Sequence, residues 1–338
     1  MNDTIRSLRL PEQPVLETLG LGRETAPQPG PGEVALRVHA SSLNYHDYLV
    51  VAGHIPQPAG RIPLSDGAGE VIALGASVAD WAIGDRVMGA FFPNWIDGVP
   101  TDANTAAISG ETIDGFAAEA VVVPAASLVR MPLGWSFAEA ATLPCAGLTA
   151  WRALRIEGQL KPGATVLLPG SGGLSVYALQ LAKALGLTAI VISSTDGKLD
   201  RLRALGADHG INYRHTPAWG AIVKDLTGGR GADLVLEIGG QSTFAQSVAA
   251  CRMAGRVMVV GSTSNLPPEL PLRDIVMRHI RVDGMAVGSV SALRELVDFV
   301  ERGGIRPIID SEFPLADLGA AFRYQLEGRH FGKIAVLI

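Results

Sequence analysis

The chain has 338 residues, a net charge of −5, 48% hydrophobic residues and 18% charged ones. That length suggests two domains, and the acidic balance without a basic cluster argues against a nucleic-acid surface. Cys145 and Cys251 are the only cysteines, so no disulfide framework is implied. The opening MNDTIRSLRL lacks a signal-peptide core and no apolar run reaches membrane length, so the expectation is a cytoplasmic protein without a membrane partner.

Up to about residue 123 the chain reads as short strands joined by glycine and proline turns. Pro29-Gly30-Pro31-Gly32 leads into residues 33–39, which alternate as a half-buried strand does. Residues 65–72 and 84–87 are further turn-and-strand pieces, with Asn44-Tyr45-His46-Asp47 read as a loop before them. Phe91-Phe92-Pro93-Asn94-Trp95 opens a long irregular loop to about Gly115, a length that is usually functional or mobile. The character changes near Ser136, where residues 137–141 and 148–154 take on helical spacing.

Residues 161–198 are the best-defined stretch, KPGATVLLPGSGGLSVYALQLAKALGLTAIVISSTDGK. A buried strand over 165–168 runs into Gly170-Ser171-Gly172-Gly173-Leu174-Ser175. Apolar residues then recur at helical spacing through Tyr177, Ala178, Leu181, Ala182 and Leu185, and Gly186 stops the helix. A second buried strand covers 189–192. A glycine turn between a strand and a helix lets backbone approach a pyrophosphate, and the helix N-terminus favours its charge. The spacing is that of G-x-G-x-x-G with Ser175 at the last position. Helices and strands go on alternating to about residue 287, with 281–287 as the last strand, which means a parallel sheet covered by helices. An amphipathic helix through Leu293, Leu296, Val297 and Val300 precedes residues 305–309, and 332–336 reads as a closing strand that returns to the front module.

The segments PGPGEVALRV, SSLNYHDYLVVAG, PLSDGAGEVIALG, IGDRVMG, AATLPCAGLTAW, LKPGATVLLPGSGG, LRALGADHGINY and HFGKIAV together resemble the medium-chain dehydrogenase/reductase superfamily over nearly the whole chain. The resemblance implies an α/β protein. A GroES-like β catalytic domain would cover residues 1–125, completed by 289–338. A Rossmann domain, a doubly wound parallel sheet binding NAD(P), would cover 126–288. It also implies a cleft between the two. Zinc-dependent members hold catalytic zinc with a Cys, a His-Glu pair and a later Cys or Asp. Here Asn44 stands at the first position, Ser65-Asp66 at the pair and Cys145 at the third. The structural zinc lobe needs four cysteines, which this chain lacks. His46, Asp66 and Cys145 are an alternative donor set. The chain resembles the zinc-free branch, similar to quinone oxidoreductases, which carry Asn and Asp at the spacing of Asn44 and Asp47. No metal is expected.

NAD-preferring sites place a carboxylate at the end of the second strand. Here Ser193-Ser194-Thr195 stand there, followed by Lys198 and by Tyr213 in Gly210-Ile211-Asn212-Tyr213. Zinc-free relatives use a lysine and a tyrosine at this separation to hold the adenosine phosphate. The expectation is therefore NADP(H), held by Gly170, Ser171, Gly172, Gly173, Leu174, Ser193, Ser194, Lys198 and Tyr213. Asp196 is the dissenting carboxylate. A solvated Lys198 and a packing Tyr213 are the plain alternatives. By family position Thr149 lies under the nicotinamide, and Gly261, Gly288 and Lys333 lie near the cofactor, with strand-end packing as the alternative for each.

Without a Lewis acid, charge developing on oxygen must be met by hydrogen-bond donors. Conjugation eases that demand, which favours reduction of an activated double bond or quinone over direct alcohol oxidation, with an enone, quinone or carbonyl compound as the expected small-molecule substrate. Candidate catalytic residues are Asn44, Tyr45 and His46. His46 stands where zinc members carry a hydroxyl relay, as a proton donor or as a structural histidine. Asp47 is expected to brace the segment through backbone bonds, and Cys145 to be a buried small residue. A metal-free alcohol or carbonyl dehydrogenase and a non-enzymatic NADPH-binding protein remain open. A homodimer is expected, joined along the 281–287 edge.

Overall fold

The alternating stretch after Pro31 becomes a ten-residue strand, Glu33–Ser42, whose inward residues Val34, Leu36 and Val38 are buried. In the computed structural model, which describes residues 4–263 and 269–338, this strand belongs to a seven-stranded sheet. The sheet runs Ile309–Pro314, Lys333–Leu337, Glu33–Ser42, Gly67–Leu74, Arg86–Gly89 and Leu128–Arg130, and Ala120–Pro124 also pairs with Glu33–Ser42. All neighbours are antiparallel except Ile309–Pro314 with Lys333–Leu337. The closing strand pairs Ala335, Val336 and Leu337 with Ser42, Ser41 and Ala40. The core beneath the sheet joins Leu36, Val87, Phe116, Leu128, Phe322 and Ile334. Phe116 lies flat on the sheet, because a Cβ on Gly67 would fall 2.1 Å from its ring.

These elements form one of two compact units, residues 1–148 with 288–338; the other is 149–287. Residues 126–148, which the resemblance implies belong with the dinucleotide-binding domain, fall within the first of these compact units. The amphipathic helix is present as Val290–Gly303, with Leu293, Leu296, Val297 and Val300 buried. Ser289 caps it by accepting from the Ala292 N–H at 3.2 Å, and Gly304 ends it in the left-handed conformation. The strand after it begins at Ile309 and covers Ile309–Pro314.

The second unit is a six-stranded, all-parallel sheet in the order His209–Asn212, Thr188–Ser193, Thr165–Pro169, Ala232–Glu237, Cys251–Val259, Arg281–Gly284. That order reverses direction beside Thr165–Pro169, where doubly wound sheets open the crevice that takes a ligand. Thr165–Pro169 and Ala232–Glu237 are buried throughout, as strands covered on both faces must be. Among the described residues no helix is long and apolar enough to cross a membrane.

The last strand of this sheet stops at Gly284 instead of running to Val287. Val287 has φ +42, a conformation that a β-branched residue rarely takes. The buried Arg152 guanidinium donates to the carbonyls of Ala286 at 3.1 Å and Val287 at 3.4 Å, and pairs with Glu157 at 2.8 Å. These bonds hold the turn and end the strand.

Candidate functional site

In the second unit, the Gly170 turn leads from the buried strand to the helix Gly173–Ala184. Gly170 sits at φ +84, which is strained for any side-chain-bearing residue. Gly172 is the N-cap and offers no side chain, so the first N–H groups of a twelve-residue helix are left to an external acceptor. Ser175, in the place of the third glycine, is buried and donates its hydroxyl to the Pro169 carbonyl. The hydroxyl thus ties helix to strand at the point where a glycine would let them pack closer. Ser171 and Thr149 are also buried.

At the end of Thr188–Ser193, Ser193 is buried and Ser194 half-buried, while Thr195 caps the next helix by accepting from the Lys198 N–H at 3.4 Å. Asp196 is engaged by the Asn212 amide at 2.8 Å. Tyr213 is 39% exposed. Gly261 lies exposed beyond the Cys251–Val259 strand. A second turn at this edge of the sheet has no signal in the sequence. Glu237, fully buried, accepts from the Gly239 and Gly240 N–H groups at 2.7 and 2.9 Å, from the Thr243 hydroxyl at 2.5 Å and from the Ser247 hydroxyl. A lone glutamate ending an apolar strand gives no sign that four donors will converge on it.

In the first unit, the segment read as a loop at 44–47 is the start of a helix, Tyr45–Val51, with Asn44 as N-cap. Asp47 explains the change. Its Oδ2 accepts from the Asn44 N–H at 2.9 Å and its Oδ1 from the Ser65 N–H at 2.8 Å, so one buried carboxylate both closes the helix start and ties it to the segment that leads into the strand Gly67–Leu74. Burial opposes its charge, but His46 and the Ser65 contacts hold the Asp47 carboxyl below its ordinary value.

Asn44, Ser65, Asp66 and Lys333 form one buried cluster. The Asn44 amide donates to Asp66 Oδ2 at 2.8 Å and Ser65 Oγ at 3.3 Å. Its oxygen accepts from Lys333 Nζ at 2.7 Å, and Nζ also donates to the Leu43 carbonyl at 2.8 Å. Asp66 Oδ2 accepts in addition from Ser42 Oγ at 2.5 Å and stands 3.6 Å from Nζ. The Asn44 amide is therefore saturated within the chain, so of the expected donors it is the one already spent. Burial raises the Asp66 carboxyl, with Lys333 opposing. Burial and then the Asp66 charge push the Cys145 thiol well above its ordinary value, which disfavours the thiolate. Gly288 packs against Leu148, within 3.0 Å of where its Cβ would be.

The Tyr45 hydroxyl has no hydrogen-bond partner among the described residues, and its ring leans on Tyr48. His46 is held by Glu111, Nε2 to Oε2 at 2.6 Å, with Asp47 Oδ1 3.7 Å from Nδ1. Glu111 comes from the long loop 91–115, which otherwise contributes the short helix Asp102–Thr105. Nothing in its sequence neighbourhood marked it.

Two family profiles match the chain: alcohol dehydrogenase GroES-like domain over residues 30–133, and zinc-binding dehydrogenase over residues 173–302. A zinc-type alcohol dehydrogenase-like protein of Schizosaccharomyces pombe is 40% identical over 316 residues, 91% of each chain. An alcohol dehydrogenase of Geobacillus stearothermophilus is 30% identical, covering 91% of this chain and 92% of its own. The solved structure of an NAD-dependent alcohol dehydrogenase is 33% identical with a TM-score of 0.91, covering 98% of this chain and 99% of its own.

The zinc in two of these names can be tested against the donors present. Tetrahedral catalytic zinc takes three protein ligands from Cys, His, Asp or Glu. The three expected ligand positions supply an amide, a hydroxyl next to a carboxylate, and a thiol, with an ammonium seated against the amide. Among the described residues no three His, Cys, Asp or Glu side chains are grouped so as to hold a metal ion. His46, Asp66 and Cys145 are thus not a substitute set, and the donors do not fit zinc. The glycine turn at an uncapped helix end does fit a nicotinamide dinucleotide. With both family profiles and full-length relatives in agreement, the chain belongs to the medium-chain dehydrogenase/reductase superfamily, as an NAD(P)H-dependent oxidoreductase of the alcohol dehydrogenase-like type.

Proposed function

We propose that the protein is an NADP(H)-dependent reductase that works without zinc on the activated C=C bond of an α,β-unsaturated carbonyl, or on a quinone. The observation that carries this reading is Lys333 Nζ bound to Asn44 Oδ1 at the first expected ligand position. Negative charge on substrate oxygen must then be met by hydrogen-bond donors, each worth about 3 kcal/mol in comparable roles. A conjugated acceptor spreads that charge and needs fewer of them. Tyr45 and His46 remain the available groups, since Asn44 is engaged inside the chain.

When bound, the nicotinamide supplies or takes the hydride. The chain's own part is to hold the pyrophosphate at the Gly170 turn and to place a proton donor. For the phosphate of NADP(H), the support is Ser193 and Ser194 at the strand end with Lys198 and Tyr213 nearby, and Asp196 turned to Asn212. A metal-free alcohol or carbonyl dehydrogenase is the second reading, favoured by the activity in the relatives' names. NAD(H) as cofactor is favoured by the NAD-dependent structure.

The partner we infer is a second copy of the chain. Among the described residues the edge strand Arg281–Gly284 leaves one side unpaired, and Leu272, Val276, Met277 and Val282 of the same unit are exposed. An open strand edge in a unit that also exposes apolar side chains favours pairing. Two unpaired thiols are in keeping with the cytoplasm.

The test is an assay of purified protein with cyclohex-2-enone, 1,4-benzoquinone and an aldehyde, each with NADPH and NADH, and of simple alcohols with NADP⁺ and NAD⁺. All runs include a chelator, and metal content is measured in parallel. The reading expects enone or quinone reduction with NADPH that is indifferent to chelator. Turnover of alcohols alone moves it to the second reading. About one tightly held zinc per chain defeats it.

A further inference from the structure

His46 and Glu111 reach each other from distant parts of the first unit, and both are largely buried, 22% and 17% exposed. The Nε2–Oε2 distance is 2.6 Å. An ionised carboxylate only accepts, so Nε2 carries the hydrogen of this bond. The other ring nitrogen is different. Nδ1 is buried and has no hydrogen-bond partner. Asp47 Oδ1 lies 3.7 Å from it, outside hydrogen-bond range. Both Asp47 oxygens are already engaged by the Asn44 and Ser65 N–H groups. The edge of Phe91 covers part of the ring, centroids 5.1 Å apart. The imidazole thus has one nitrogen committed and the other buried without a partner, at a cost that a bound group could relieve.

We propose that Glu111 is a positioning residue which pins Nε2 of His46, so that Nδ1 is the nitrogen that gives a proton to the reacting substrate. The proposal rests on the reductase reading above. An orienting carboxylate on one ring nitrogen and chemistry at the other is the logic of acid–base dyads generally. With carboxylates facing both nitrogens, the ring is favoured in its doubly protonated form. Two electrons and one hydrogen reach the acceptor as hydride from the reduced nicotinamide. The resulting substrate anion takes the proton from Nδ1, completing the reduced product. His46 is left neutral, its Nε2–H still on Glu111, and regains its proton from water. Asp47 favours the charged ring without competing for the proton. The other charged groups of the cluster, Asp66 and Lys333, meet at Asn44 and not at the imidazole.

The test compares wild type with Glu111→Gln, Glu111→Asp, His46→Gln and the Glu111→Gln/His46→Gln double variant. NADPH-dependent reduction of cyclohex-2-enone and 1,4-benzoquinone is followed across pH. General acids contribute roughly 10²–10⁴-fold, so losing the orienting group is expected to take about tenfold or more from kcat. KM for NADPH should stay level. The fall in rate at high pH should move to lower pH in Glu111→Gln and return toward wild type in Glu111→Asp. The double variant should be no slower than His46→Gln alone, because Glu111 acts through His46. A Glu111→Gln enzyme with unchanged kcat and pH profile, or one slowed equally at every pH, overturns the proposal. The folded wild-type protein supplies an independent measurement, ¹⁵N shifts of labelled histidine. They should show Nε2 protonated throughout the titration and Nδ1 as the site that loses its proton. Loss from Nε2 first overturns the proposal whether or not the variants fold. Absence of turnover with every acceptor would count against the reductase reading, while the nitrogen shifts would still decide which nitrogen gives up its proton.

Discussion

Lys333 Nζ donates to Asn44 Oδ1 at 2.7 Å, joining residues 289 positions apart in the chain. The bond places an ammonium beside the fully buried carboxylate of Asp66, 3.6 Å away. Breaking a buried pair from one side leaves a charge without a counterion, at about 3–5 kcal/mol. Lys333→Met is expected to lower the unfolding free energy, read from the urea midpoint and slope, by an amount of that order. Burial already raises the folded pKa of Asp66 above its unfolded value. Such a carboxyl destabilises as pH rises past the unfolded value, so the deficit of Lys333→Met should be small in acid and grow toward neutral pH. Adding Asp66→Asn should recover most of it. Equal midpoints for wild type and Lys333→Met would show that the pair adds nothing.

The His46 imidazole gives a second pH signature, with the opposite sign. Burial opposes its charge, but Asp47 and then Glu111 outweigh it and push the pKa up to about 9. The unfolded value is about 6.5. A raised histidine contributes fully below the unfolded value and loses that contribution as pH rises through the folded one. The difference is on the order of 3 kcal/mol at most. The melting temperature of wild type should therefore exceed that of His46→Gln most clearly near pH 6, with the two converging above about pH 9. A gap that stays constant over that range would mean His46 stabilises by packing alone.

For the cofactor, Lys198→Ala and Tyr213→Ala should each weaken NADPH while leaving NADH nearly untouched. A hydrogen bond to a charged group is worth about 1.5–3 kcal/mol, roughly ten- to a hundredfold in affinity for the lysine. Fluorescence titration with both nucleotides measures the ratio. If neither substitution moves it, the adenosine phosphate is not held there, and NAD(H) becomes the better assignment.

Gly170→Ala should cost about 1–2 kcal/mol, because alanine must take φ +84. It should weaken NADPH and NADH alike, since the proposed partner of the turn is the pyrophosphate that both share. A selective effect on either nucleotide would argue that the turn has another role.

Light scattering at micromolar concentration is expected to give twice the chain mass, and Val282→Glu on the exposed edge strand should return it to one chain. A wild-type mass of one chain rejects the dimer.

Local signals carried much of this molecule. The strand, glycine turn and helix over residues 165–184 are set by neighbours in sequence: buried β-branched residues, a glycine that can reach positive φ, and apolar residues at helical spacing. The amphipathic face of Val290–Gly303 was readable for the same reason. The replacement of the expected zinc ligands by Asn44 and Ser65 is a matter of residue identity and needed no coordinates. Other features depend on chain segments far apart, and there the sequence was silent or misleading. Asn44 to Asp47 reads as a loop, because the bond from the Ser65 N–H that helps fix Asp47 as a helix-closing group comes from a separate segment, just before the strand Gly67–Leu74. Lys333 could be matched to the cofactor's vicinity by family position, but its contact with Asn44 exists only because the closing strand pairs beside Ser42. Residues 281–287 read as one strand because Met285, Ala286 and Val287 keep it apolar to the end, yet Arg152 captures the carbonyls of Ala286 and Val287 and the ladder stops at Gly284. Glu111 was one acid among many in a loop. Only the tertiary fold brings it to a largely buried imidazole, where low solvent exposure strengthens the hold of a single charge on one ring nitrogen.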